Sequence, residues 1–309
     1  MNRSDFNKSV VPGLFTFMDA AYNPRSEEKV SYQLLTGSAP KESRRAYEQA
    51  SYYGALGLVP NKAEGAAIAY DNPVQGPTKT WTHKTYGLGV RITEELIEDS
   101  LYNEIPTEMK QLSQELGKSA RETIEILTWD LVNNGTTTTT HTDGLGNAIF
   151  STGKKLLRGG TWSNLLSPAS DLSATALQVA LDTFENTRDD SGKIQIIKAS
   201  KIFVNPANAW KAKELLNSAY DPESANNAVN SIKERNLQLV VSPFLTDTDA
   251  FTLFADPPHA NGGIIAYLRR KVTFAQDGDF ETGDAKFKTT FRFSVEVNKP
   301  NNLFHSAGA

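Results

Sequence analysis

The residues of this chain that could do chemistry are few: four histidines, several acidic pairs and no cysteine at all. His83, His141, His259 and His305 stand 58, 118 and 46 positions apart, so no two share the helical turn of an H-E-x-x-H zinc motif. His141 and Asp143 in "HTDG" could form a ligand pair, but a lone polar pair in a loop is more simply loop chemistry. Asp189 and Asp190 could divide acid and base work. Lying before Ser191 and Gly192, they fit a turn better. Glu94, Glu95, Glu98 and Asp99 include like charges at i,i+4, which suits a solvated helix start capped by Thr93 rather than a metal or catalytic cluster. "GLGNAI" lacks the third glycine and the preceding strand of a dinucleotide loop. Neither G-x-x-x-x-G-K-[ST] nor G-x-S-x-G occurs. The absence of cysteine excludes disulfides, thiol catalysis and thiolate metal sites. The expectation is a protein with no catalytic residues, no cofactor and no metal.

Composition narrows the class further. Hydrophobic residues make up 39% and charged residues 22% of the chain, as in ordinary globular proteins. No run approaches the roughly 18 apolar residues of a membrane span, and the N-terminus lacks the apolar core of a secretory signal. The formal net charge is −4, whereas nucleic-acid binders carry a positive excess on one face. Lys154, Lys155 and Arg158, and then Arg269, Arg270 and Lys271, are the dense basic runs. They read as solvated surface.

The elements that would hold these residues follow from periodicity. Met109, Leu112, Leu116, Ala120, Ile124, Leu127 and Leu131 form one apolar stripe of a helix from Pro106 to about Asn133. A second helix carries Leu177, Ala180, Leu181 and Phe184, with Ser173 as its cap. Asn205 and Pro206 open a third. Phe287, Thr289, Phe291, Phe293, Val295 and Val297 alternate with polar residues, a strand with one face for a core and one for water. Its apolar face should pack on the long helix. Upstream, a helix is expected from about Lys41 to Tyr53, and "YNPRSEEKVSYQLLTGSAP" reads as an extended arm.

"TKTWTHKTYGLGVRI" is different. Its second half alternates, but from Lys79 to Thr85 neither face has enough apolar area to bury. It reads as one limb of a long hairpin with "GAAIAYD" as the other limb and "NPVQGP" as the turn. Such a two-stranded ribbon is marginal alone in water and needs another surface. Tyr70 and Trp81 could be cross-strand partners within one hairpin, or could pack on a second subunit.

The order of parts resembles the major capsid proteins of tailed bacteriophages, the family with the Hong Kong phage capsid fold. An N-terminal arm and a hairpin run into "VRITEELIEDS" and the long helix ending "LTWDLVNNG"; "TDGLGNAIFS", "TWSNL", the helix–strand–helix succession to "KAKELLNSA" and the tail "NLFHSAGA" follow. The resemblance implies an α+β fold. Its parts would be an N-terminal arm with a connecting helix (1–59), an extended E-loop hairpin (60–92), a peripheral domain with the spine helix (93–164), an axial domain (165–265), and return strands with a tail (266–309). It implies a non-enzymatic subunit that self-assembles as a homo-oligomer, in pentamers and hexamers, into an icosahedral shell around double-stranded DNA. That DNA would be enclosed without sequence-specific binding, and the protein would reside in the virion after assembly in the host bacterial cytoplasm. A portal and decoration proteins are implied partners; some members carry an N-terminal scaffolding segment for which there is no room before the arm here, so either a separate scaffold exists or this chain is not the precursor. No cofactor and no membrane are implied. Tyr70, Lys79, Trp81, His83 and Lys84 on the hairpin are then the expected inter-subunit contacts. Some family members cross-link Lys to Asn; nothing in Lys79 or Lys84 indicates that chemistry. Two other readings are a nanocompartment shell of the same fold and, in a different class, a ligand-binding or hydrolytic protein with the arm as a lid. If the arm has no role in the subunit's own core, trimming 68–84 should leave a folded subunit that does not assemble.

Overall fold

The computed structural model describes residues 11–22, 31–93, 95, 105–220, 222, 229–256, 263–278 and 281–309. In chain order its elements are α1 (Val11–Tyr22), α2 (Ser31–Thr36), β1 (Lys41–Glu42), β2 (Tyr47–Tyr53), β3 (Gln75–Thr82), β4 (Lys84–Ile92), α3 (Ile105–Asn133), β5 (Lys154–Lys155), β6 (Thr161–Trp162), α4 (Ala174–Glu185), β7 (Ala199–Val204), α5 (Ala209–Asn217), β8 (Gln238–Val241), β9 (Phe251–Ala255), β10 (Ile264–Gly278), β11 (Ala285–Val297) and β12 (Leu303–Ser306). Of the helix start expected at Thr93–Asp99 only Thr93 and Glu95 are described, and Glu94, Glu98, Asp99 and His259 lie outside the described residues.

The spine is α3, 29 residues and about 43 Å long at the usual rise. Its stripe is buried at Met109, Leu116, Ala120, Ile124 and Leu131, whereas Leu112 is 39% exposed. Against it lies a four-stranded sheet ordered β1-β10-β11-β4. Phe291 and Phe293 of β11 meet Ala120 and Ile124 of the helix in one apolar cluster, which is the pairing of sheet face and helix stripe that the sequence calls for. The second sheet runs β12-β9-β7-β8. It is covered on both faces, which is why β7 reads "KIFV" without alternation. Ile202, Val204 and Leu253 pack on α4 and α5. Phe203 and Phe254 point the other way, to Trp129 at the end of the spine. Ser173 caps α4 by accepting from the Ala176 N–H, and Asn205 accepts from Ala207 N–H at the 3-10 turn before α5.

Three expectations fail in the N-terminal third. The helix expected over Lys41–Tyr53 is instead β1, a turn and β2. Tyr-rich "YEQASYY" is strand-competent, and its pairing with β3 outweighs local helix propensity. The arm holds α2 over Ser31–Thr36, which buries Tyr32 and Leu35, and the preceding α1 lies across α3 with Leu14 and Met18 buried. The approach of α1 is close enough that a Cβ on Gly117 of the spine would stand 2.4 Å from the Met18 carbonyl oxygen. Finally, the hairpin partner is β2 (Tyr47–Tyr53), not 65–71, and the long strand breaks at His83, where β3 ends and β4 leaves to pair with β11.

Candidate assembly surface at the arm

The question of what an apolar-poor strand sits on has a two-part answer. β3 finds its backbone partner in β2, so the ribbon satisfies its own ladder. Between the two strands, residues 54–74 form no strand or helix and extend from the ribbon with nearly every side chain in solvent. Leu58, Val59, Ile68 and Tyr70 are all exposed, Val59 at 96% and Tyr70 at 91%. Scattered apolar side chains on a surface are unremarkable; several on one projecting loop mark an interaction site.

This loop stands on a fixed stalk. At its neck Asp71 accepts from the Gly57 N–H at 2.7 Å and from Arg158 Nη1 at 3.0 and 3.1 Å, while Arg158 Nη2 donates to the Asn72 carbonyl at 2.7 Å. These donors, the Gly57 N–H first, hold the Asp71 carboxyl below its ordinary pKa. Ser191 Oγ donates to the Leu56 carbonyl and Lys299 Nζ to that of Tyr53. Lower down, Lys79 Nζ pairs with Glu296 at 3.0 Å and donates to the carbonyls of Thr142 and Val297. Tyr52 is buried under the Lys299 ammonium, 4.0 Å from its ring centroid, and its hydroxyl donates to Asp190. Gly76 permits this packing: a Cβ there would meet Leu157 and Tyr52 at 3.2 and 3.3 Å.

The five residues expected to reach a neighbour therefore separate. Tyr70 and Lys84 are exposed, whereas Lys79 is engaged by its own chain. Trp81 is only 2% exposed, stacked on Tyr267 at 6.2 Å, and His83 is buried between Ser294 and Ser43. Trimming 68–84 would remove this packing along with β3, so the deletion that isolates the loop is shorter. Sequence reading passed over Leu58 and Val59, as well as the Asp71–Arg158 tie. The available signal was "GALGLVP", an apolar run with neither helical nor strand period.

The candidate chemical groups are taken up in structure. His141 Nε2 pairs with Asp130 at 2.7 Å and not with Asp143. Asp143 closes the "TDGLGN" turn by accepting from the Leu145 and Asn147 N–H groups, and it neutralises buried Lys154 at 3.3 Å. Asp189 accepts from the N–H groups of Ser191 and Lys193 in a turn. Asp190 accepts from Tyr52 and from the Leu157 N–H. Beside the arm root a groove of about 440 Å³ is lined by Tyr52, Trp162, Arg188, Ile194 and Lys299, among others. The acids next to it are already committed to these ties. Among the described residues no group of three or more His, Cys, Asp or Glu could hold a metal, and no helix is long and apolar enough to cross a membrane.

Comparison with known proteins agrees with this geometry. No curated protein matches the sequence. Among solved structures, the capsid of a native GTA particle is 11% identical with a TM-score of 0.57, covering 92% of each chain. The capsid of cyanophage P-SCSP1u is 12% identical with a TM-score of 0.56, covering 87% of this chain and 85% of that one. An encapsulin complex from Synechococcus elongatus is 11% identical with a TM-score of 0.51, covering 94% of both. At these identities the likeness is one of fold. A family model described as phage capsid protein matches residues 76–305, most of the chain and nearly all of the two sheets and the spine. The chain belongs to the phage capsid protein family, and its α+β fold is the major capsid fold.

Proposed function

We propose that copies of this subunit join through the loop 54–74, which lies on a neighbouring copy, and that repetition of this contact builds pentamers and hexamers of an icosahedral phage head enclosing double-stranded DNA. The observation that carries it is the exposure of Leu58, Val59, Ile68 and Tyr70 on a loop whose neck and stalk are tied down. Covering each such side chain contributes about 1.5–3 kcal/mol before the cost of association, and a stalk fixed in advance lowers that cost. A loop that meets a different surface on the next copy is a heterologous contact, the kind that closes into rings. Tyr70 and Lys84 remain the contacts from the expected set. The protein acts structurally, without turnover, in the virion. A scaffold and a portal are its expected partners, and assembly takes place in the host cytoplasm.

The test is electron microscopy and sedimentation of the pure protein beside a variant in which 58–70 is replaced by a short Gly-Ser bridge, leaving Gly57 and Asp71 in place. Wild type should form particles or capsomers, and the variant should remain a folded monomer with an unchanged melting midpoint. A wild type that stays a 33.9 kDa monomer under all assembly conditions would overturn the reading, as would a variant that unfolds or one that assembles normally. The encapsulin likeness keeps a second reading in view, a cargo-enclosing compartment. Co-purification of one stoichiometric cargo protein would favour it.

A further inference from the structure

The pairing of β1 with β10 gathers arginines that are far apart in sequence. Lys41 and Glu42 lie beside Tyr267 and Leu268, and the Ser43 N–H donates to the Leu268 carbonyl. Arg44 and Arg45 are thereby brought next to Arg269 and Arg270, and Arg270 stands directly across from Arg292 of β11 in the register. Like charges placed opposite each other destabilise a sheet. Lys271 is neutralised by Glu42 at 2.6 Å. No carboxylate among the described residues forms an ion pair with any of these five arginines. Of the acids around them, Glu42 is taken by Lys271 and Glu48 accepts from Ser43 Oγ at 2.6 Å.

The inner edge of this cluster carries donors with nothing to donate to. Arg269 Nε, Arg292 Nε and Trp81 Nε1 are all buried and none has an acceptor. They surround His83: Arg292 Nη2 reaches its carbonyl at 3.5 Å, Arg269 Nη1 reaches the carbonyl of Ser43 at 3.5 Å, and Trp81 stacks on the Tyr267 ring that His83 meets edge-on. His83 supplies no negative charge. The Ser43 hydroxyl hydrogen goes to Glu48, so Ser43 Oγ accepts from His83 Nε2–H and Nδ1 accepts from Ser294. A buried donor without a partner is destabilising, and its usual explanation is a missing acceptor.

We propose that the arm root is an oxyanion seat, formed by Trp81, Arg269 and Arg292 within and by Arg44, Arg45 and Arg270 at the rim, and that it takes carboxylates of a second copy of this chain. The proposal rests on the shell reading for the identity of the partner, but not for the existence of the seat. Charge favours a second copy over nucleic acid. The whole chain is at −4, so with several positive charges concentrated here the remaining surface is more acidic still. A polyanion would be repelled by that surface, while a neighbour would present it.

Inorganic phosphate is the probe. For the isolated wild-type subunit, phosphate should raise the melting midpoint by about 2–4 °C over sodium chloride at equal ionic strength. The shift should vanish in Trp81→Phe, which keeps an aromatic ring but removes the N–H, and in Arg269→Gln/Arg292→Gln. The rim variant Arg44→Gln/Arg45→Gln changes only exposed side chains, so it must fold, and it should assemble with a weaker dependence on salt than wild type. An equal response of wild type and all variants to phosphate would overturn the seat. Unaltered salt dependence of assembly in the rim variant would overturn the second copy as occupant. So would tight binding of a short DNA duplex that the rim variant loses. If wild type forms no particles, the shell reading fails while the phosphate titration still decides the seat.

Discussion

Arg158 grips Asp71 across the neck of the projecting loop, its Nη1 at 3.0 and 3.1 Å from the two carboxylate oxygens and its Nη2 at 2.7 Å from the neighbouring carbonyl of Asn72. Asp71 is exposed and Arg158 half-buried, so solvent still screens the tie and it contributes little to the fold. Its effect is on direction: beside the ties of Ser191 to Leu56 and of Lys299 to Tyr53, it joins the loop to the β5–β6 hairpin. Replacing Arg158 with Gln should leave the melting midpoint unchanged and slow assembly measured by light scattering, because the loop must then be ordered during association. An unchanged assembly rate would show that the tie does not orient the loop.

A second prediction concerns α1 and the spine. Gly117→Ala would ordinarily strengthen a helix by about 1 kcal/mol. Here the new Cβ would stand 2.4 Å from the backbone oxygen of Met18 and 3.1 Å from the Ala21 Cβ. Backbone cannot rotate away, so α1 must shift and the apolar cluster of Leu14, Met18, Met109 and Leu116 loosens. Overpacking of this kind costs about 1–3 kcal/mol. Urea unfolding should report net destabilisation; a gain in stability would mean that α1 does not pack at Gly117 in solution.

Sequence periodicity made legible whatever is repetitive. The stripe of α3, the alternation of β11 and the Ser173 cap each follow from residues a few positions apart. Strand pairing is not local, and there the reading slipped. Nothing in "YEQASYY" announces β3 as its partner, and the cover for Trp81 comes from Tyr267 on a distant strand. Arg269 and Arg270 look like solvated surface in the sequence, and nothing there relates them to Arg44 and Arg45 until β1 pairs with β10. The resemblance to phage capsid proteins supplied the architecture, while the roles within the arm depended on which side chains the tertiary structure covers.

His305 yields a pH prediction. It is sealed between Thr252 Oγ1, 2.9 Å from Nδ1, and the ring of Phe150 at 4.6 Å. Burial depresses its pKa to about 4. The unfolded chain takes up this proton near the ordinary value of about 6.5, so between these values the unfolded state binds more protons and stability falls as pH drops. Linkage puts the loss at about 3 kcal/mol by pH 4. His83, also depressed chiefly by burial, acts in the same direction. His305→Gln should flatten most of the slope in urea midpoints between pH 7 and 4.5; an undiminished slope would locate the acid sensitivity elsewhere.

Lys154 acts in the alkaline direction. Its ammonium lies wholly inside the protein, 3.3 Å from Asp143 and 5.5 Å from the centroid of the Trp162 ring. Desolvation outweighs the attraction of Asp143 and lowers its pKa to about 8. The unfolded lysine holds its proton to about 10.4, so above pH 8 the folded state releases it first and stability rises with pH. Near pH 10 the trend reverses, because Tyr22 and Tyr52, pushed up mainly by burial, resist ionising in the fold and then oppose it. The burial of these groups therefore predicts that stability rises from about pH 8 to a maximum near pH 10, a range in which an unperturbed lysine would contribute nothing. Lys154→Met alone leaves Asp143 buried and unpaired, at a cost of about 3–5 kcal/mol. Paired with Asp143→Asn, which can still accept from the Leu145 and Asn147 N–H groups, it should recover much of that loss and abolish the rise above pH 8. A double variant that keeps the rise would show that the alkaline stabilisation comes from another group.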